Sequence, residues 1–202
     1  MTVSSTTGGD RPASRRAIPW SLRRRLSLLY GAKRRRILAE PIEALQSLDL
    51  EVEIDPDWRW VRALLPDGSE VEAGFRGKAR VFGVLIDTVW TARRGRCERD
   101  RRELRYRFDK KRFRAGDPAG KGVAEALSAD EEIRRLIAVA ELRSLRVIVC
   151  SEGRIVEAIP LPGTITALYL PPMPPFTVTI RPVEADAQLA LVRRVLDVAG
   201  VG

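Results

Sequence analysis

The chain has 202 residues, with 36 Lys+Arg against 27 Asp+Glu for a net charge of +9, and 45% of it is hydrophobic. That is enough to bury a core as one domain or two small ones, and too apolar for overall disorder. There is no His and there are two Cys, Cys97 and Cys150, which excludes Ser-His-Asp and Cys-His catalysis, His-ligated metals and all-cysteine zinc sites. Two cysteines supply no disulfide framework, so a reducing, cytoplasmic setting is expected.

Residues 1–19 are small, polar and basic, without an apolar h-region, and read as a disordered leader. A helix is expected from Ser21 to about Glu40, with Leu22, Leu26, Leu29 and Ile37 on one side, and Pro41 opens a second short helix to Leu48. Strands follow. Leu50, Val52 and Ile54 alternate with Glu51, Glu53 and Asp55, and Asp55-Pro56-Asp57 reads as a turn. Segments 58–65 and 70–75 flank Pro66-Asp67-Gly68-Ser69, a hairpin turn. Residues 78–90 read as a central strand, 91–103 as a charged connection and Leu104–Phe108 as a strand with alternating faces. Asp87 falls among apolar neighbours and is expected to find an Arg or a backbone donor.

After Gly116-Asp117-Pro118-Ala119-Gly120, a helix or helix pair spans about 123–142, with Ser128 and Glu131 as a capping box for its better-defined part. Strands are expected at 145–150, 154–159, 164–170 and 176–181, and a last helix at 183–199 with Leu189, Val192, Val195 and Leu196 facing the core. Pro171–Pro175 reads as an extended crossover.

The segment from Ser47 echoes the one from Ser144: a helix ends at Ser-Leu, then strand, tight turn, strand and a Pro-containing turn follow. The expected fold is α+β, an antiparallel sheet with flanking helices. The echo is either a duplication, giving two related helix-plus-four-strand halves, 20–115 and 116–202, that form one compact domain and close on a C-terminal helix, or a likeness of pattern alone. The alternative is a helix-grip shape, a curved sheet around that helix.

Charge is uneven. Residues 1–115 carry 27 Lys+Arg and 16 Asp+Glu, a net of +11, whereas residues 116–202 carry 9 and 11, a net of −2. The densest block, Arg93–Arg114, holds 12 cations against four acids. Its candidate anion-binding residues are Arg93, Arg94, Arg96, Arg101, Arg102, Arg105, Arg107, Lys110, Lys111, Arg112 and Arg114. Tyr106, Phe108 and Phe113 are interleaved with them. Cations neutralise phosphates and aromatics stack on bases, so this mixture points to nucleic acid. The plainer reading is a hairpin with its aromatics in the core and its arginines solvated.

A second basic segment, with Trp20, Arg23, Arg24, Arg25, Lys33, Arg34, Arg35 and Arg36, has the composition of an interfacial helix on an anionic membrane. The competing reading is a helix packed on the domain. Gly116–Gly122 falls short of a phosphate loop: three residues rather than four separate Gly116 from Gly120, and Gly122 stands where Ser or Thr would hold magnesium. Cys97, amid four arginines, is a candidate for a lowered thiol pKa, and Cys150 for a small buried apolar residue. The expectation is therefore a non-enzymatic polyanion binder without metal or cofactor. Its alternative is a peripheral membrane or apolar-ligand protein, and an enzyme fits least.

Overall fold

A computed structural model describes residues 20–80, 83–98, 100–168 and 176–200. The leader 1–19 and the proline run 171–175 lie outside the described residues, as do the side chains of Trp20, Arg23, Arg24 and Arg25. Within the described residues the chain runs α1 (Trp20–Gln46), β1 (Val52–Ile54), β2 (Trp60–Leu64), β3 (Glu70–Arg80), β4 (Gly83–Gly95), β5 (Arg102–Arg107) and β6 (Arg112–Ala115). There follow α2 (Lys121–Ala129), α3 (Glu131–Ala140), β7 (Leu142–Val149), β8 (Gly153–Pro160), β9 (Thr164–Leu168), β10 (Phe176–Val178) and α4 (Pro182–Val198).

All ten strands join one antiparallel sheet in the order β1-β2-β3-β4-β8-β7-β5-β6, with β9 and β10 paired beside the first part of β4. This is the expected α+β class. The two sequence halves are interleaved in it, since β4 pairs with β8 and β5 with β7.

Alternation sends one set of side chains to the helices and the other to the open side of the sheet. Val61 and Ala63, Val71 and Ala73, Trp90 and Ala92, Val156 and Ala158, Leu145 and Val147, Leu104 and Tyr106 are buried in the helix-facing core. α1 lies against β1, β2 and β3, α2 against β6, and α4 against β4 and β8 in the middle of the sheet. A buried polar link ties these layers. Trp90 Nε1 donates to Gln188 Oε1 on α4 (2.8 Å), and Gln188 Nε2 donates to the carbonyl of Ala140 at the end of α3 (3.2 Å).

Several expectations need correction. α1 runs through Pro41 instead of breaking there. Ile37, Leu38, Ala44 and Leu45 are buried on both sides of the proline, and that shared burial outweighs one lost helical hydrogen bond. The strand expected over 78–90 is two strands: Lys78–Arg80 ends β3, and β4 continues to Gly95, into the stretch expected as a connection. The capping residue of α3 is Asp130, whose carboxylate accepts from the Ile133 amide at 2.8 Å. Ser128 does other work: its hydroxyl donates to the Ala124 carbonyl and accepts the outward amide of Phe113, which shields the edge strand β6.

Asp87 behaves as expected. It is fully buried and its ion-pair partner is Arg143, which sits where the β7–β8 register shifts. The Asp55 turn also forms, its carboxylate accepting from the Asp57 amide (2.9 Å) and from the Arg59 guanidinium (2.9 and 3.0 Å).

The cysteines depart most from expectation. Cys97 and Cys150 form a disulfide with a Cα–Cα separation of 5.4 Å, across 53 residues of sequence. Two glycines make it possible. Beyond Gly95 the chain crosses the β7–β8 turn so closely that a Cβ at Gly95 would lie 2.1 Å from the Glu152 carbonyl oxygen, and one at Gly153 would lie 2.6 Å from that of Arg96. Gly95 also takes a φ of 70°, which suits glycine. Cys97 is thereby carried over the end of β8 to Cys150 at the end of β7. A bonded pair offers no thiolate, so neither the reactive Cys97 nor the free apolar Cys150 describes this state. The bond also removes the premise of the cytoplasmic expectation, because such links persist in oxidising compartments.

A candidate polyanion interface on the open sheet face

The open face is ordered by register. One cross-strand row reads Glu53, Arg62, Glu72, Thr91, Glu157, Arg146, Arg105, Arg114, from β1 at one edge to β6 at the other. Charge along the row is mixed on the β1 side and becomes three consecutive arginines on the β6 side. One step along the hairpin, Arg107 on β5 faces Arg112 on β6. Arg105, Arg107, Arg112 and Arg114 thus form two directly opposed like-charge pairs, about 7 Å apart along the strands from the strand rise, and Arg146 extends them inward. Directly opposed like charges destabilise a sheet.

Carboxylates offset part of this charge. Arg105 donates to Glu103 (2.6 Å) and Arg107 to Asp109 (3.1 Å). Arg146 reaches Glu157 (2.7 Å) and, more loosely, Glu103 (3.7 Å). Burial pushes the Glu157 carboxyl up, but Arg76 and Arg146 outweigh it and hold the group below the usual glutamate range. The hydrogen bond from Arg107 likewise lowers Asp109. Arg112 and Arg114 are exposed and have no ion-pair partner among the described residues, nor do Arg96, Arg102, Lys110 and Lys111. The carboxylates leave the β6 side of the hairpin uncompensated.

The block Arg93–Arg114 is therefore not one surface. Arg94 is spent on Asp67 and Asp197, Arg93 on Glu70 (3.7 Å), and Arg101 on the Cys97 carbonyl (2.9 and 3.1 Å). Arg102 alternates with Arg105, on the other face of β5. Arg146 belongs to the cluster although sequence reasoning did not pick it. Its alternation with Leu145 and Val147 was visible, but the β5–β7 register that sets it beside Arg105 was not.

The aromatics divide too. Tyr106 and Phe113 are buried, with ring centroids 5.1 Å apart, while Phe108 at the hairpin tip is 39% exposed. The tip is the four-residue loop Phe108–Lys111, closed by the Arg107–Arg112 pair, with Lys111 in the left-handed region at φ 48°. Beside it, between the end of β5 and α3, lies a mainly apolar cleft of about 450 Å³. A second cleft, of about 800 Å³ between β6 and α2, has Arg112, Arg114 and Lys121 on its walls.

The second basic segment is placed in part. Ile37 and Leu38 bury that end of α1 in the core, Arg34 lies over the Phe75 ring at 5.9 Å, and Arg35 over the Trp58 ring at 5.1 Å. Lys33 is partly exposed and Arg36 exposed. No described helix is long and apolar enough to cross a membrane. Among the described residues, no group of three Cys, Asp or Glu converges as metal ligands would. No family model, no curated protein and no solved structure matches this chain.

Proposed function

We propose that the chain is a non-enzymatic binding protein that holds nucleic acid on the arginine ladder of the β5–β6 hairpin. The observation that carries the reading is the direct opposition of Arg105 to Arg114 and of Arg107 to Arg112 on an exposed sheet face. Four cations aligned at the cost of mutual repulsion form a preorganised counter-surface for a chain of phosphates, which relieves the repulsion and releases counterions. Guanidinium suits this task because it binds phosphate oxygens bidentately. Lys110 and Lys111 at the tip extend the same field, and Arg146 continues it toward the middle of the sheet.

The test is fluorescence anisotropy of labelled single-stranded and duplex oligonucleotides, titrated at several salt concentrations. Binding that persists near about 0.15 M salt, where exposed charges are screened beyond about 8 Å, supports the reading. Binding that vanishes there, or that survives double reversal of Arg105 and Arg107 to Glu, rejects it.

A further inference from the structure

We infer that the cleft at the hairpin tip takes an unpaired nucleobase from the strand held on the arginine ladder, so that the protein prefers single strands. The inference rests on the reading above and adds the class of nucleic acid and the group recognised.

The cleft is lined by Tyr106 and Phe108 at the end of β5, by Ile137 and Ala138 on α3, and by Leu161 in the turn after β8. Its volume of about 450 Å³ lies within the range of ligand sites. Two large apolar side chains that normally seek cover stand exposed here, Phe108 at 39% and Leu161 at 54%. Both are held in place. The Phe108 ring packs edge-on to the buried Tyr106 ring at 5.0 Å, and the Leu161 amide donates to the Glu141 carbonyl at 2.7 Å. An exposed aromatic face with an aliphatic wall suits a flat heteroaromatic ring, which every base presents whatever its sequence.

The rim says what is attached to that ring. Lys111 has no ion-pair partner among the described residues, and Arg134 holds Glu131 only loosely at 3.8 Å. The one acid on the rim, Glu141, is bridged by Arg181 (3.2 Å). The apolar site thus opens onto cations, as an anionic ligand requires. The cleft lies across the hairpin from the ladder: Phe108 follows Arg107 but shares the helix-facing side with Tyr106, and the tip with Lys111 on the cleft wall joins the two faces. A strand whose phosphates lie on Arg107 and Arg112 reaches the cleft by turning over the tip past Lys111, where a base can leave the solvent. In a duplex that base is already stacked and paired, so only single strands gain the contact.

The experiment compares a labelled 12-nucleotide oligothymidine with an abasic strand of equal length and charge, by anisotropy near about 0.15 M salt. The full chain is expected to bind the thymidine strand about tenfold tighter. Phe108→Ala should erase that difference by weakening the thymidine strand alone, and Leu161→Ala, at a more exposed position, should reduce it. Arg105→Glu should weaken both strands together. Equal binding of the two strands by the wild-type chain, or a preference that survives both cleft variants, overturns the base site while the ladder stands. Failure of both strands to bind rejects the ladder reading and the base site with it.

Discussion

Arg105 and Arg114 stand directly opposite each other on β5 and β6, and Arg105 faces Arg146 on its other side. Of the three, Arg114 alone has no carboxylate partner among the described residues. Such a row works against the sheet that carries it, and this separates a binding role from a structural one. Arg114→Glu turns a like-charge pair into an opposite-charge pair. The variant should be more stable by about 0.2–1 kcal/mol, yet bind oligonucleotide roughly tenfold more weakly. Chemical denaturation and anisotropy on one preparation check both signs. A stabilised variant with unchanged binding shows the ladder to be a merely solvated face.

Glu103 holds Arg105 at 2.6 Å and approaches Arg146 at 3.7 Å, so it competes with phosphate for two arginines. Glu103→Gln keeps the shape and removes the charge. Affinity should rise severalfold, about as far as one exposed ion pair allows, with a steeper dependence on salt. Salt titration of the two proteins in parallel decides it.

The Cys97–Cys150 bond closes a loop across 53 residues of sequence. Reduction, or Cys97→Ala with Cys150→Ala, should cost about 2–4 kcal/mol by releasing the unfolded chain. Urea melts with and without reductant measure this, and mass spectrometry of the intact chain reads whether the bond forms on expression.

Glu157 and Asp130 are both held below the usual carboxylate range. In each, burial raises the pKa and is outweighed, by Arg76 and Arg146 for Glu157 and chiefly by Arg194 for Asp130. With the folded value depressed, the unfolded chain binds more protons on the acid side, and stability there rises with pH. The contribution is complete above the unfolded carboxylate values of about 4, and is lost as pH falls through the folded values. Glu157→Gln should lower stability at neutral pH and flatten that acid limb. Thermal melts from neutral to strongly acid pH measure the slope.

Trp90 donates to Gln188 in the core, and Gln188 donates onward to Ala140. Gln188→Leu leaves a buried indole N–H and a helix-end carbonyl unpaired, at a cost of about 1–3 kcal/mol. The melting midpoint should fall while oligonucleotide affinity, read on the separate hairpin surface, stays level.

The fold class was legible because alternation and turn residues are local signals. Pro66-Asp67-Gly68-Ser69 closes its hairpin with the Leu65 amide donating to the Ser69 carbonyl at 2.7 Å, and Leu189, Val192, Val195 and Leu196 are buried on the last helix. Tertiary effects were not legible. The helix passes Pro41 because packing on both sides outweighs a local cost, and Cys97 meets Cys150 because Gly95 and Gly153 allow two backbones to touch. The basic block was visible as composition, but its division was not. Arg94 is drawn off to Asp67 and Asp197, and Arg146 is added, through pairings that only the sheet order defines.

The ladder is tested most directly by the salt dependence of oligothymidine binding to the wild-type chain and to Arg112→Gln with Arg114→Gln. Four arginines on four phosphates predict a log–log slope near about −3 for the wild type, falling toward about −1.4 in the double variant. Equal slopes and equal affinities for the two proteins would contradict the account.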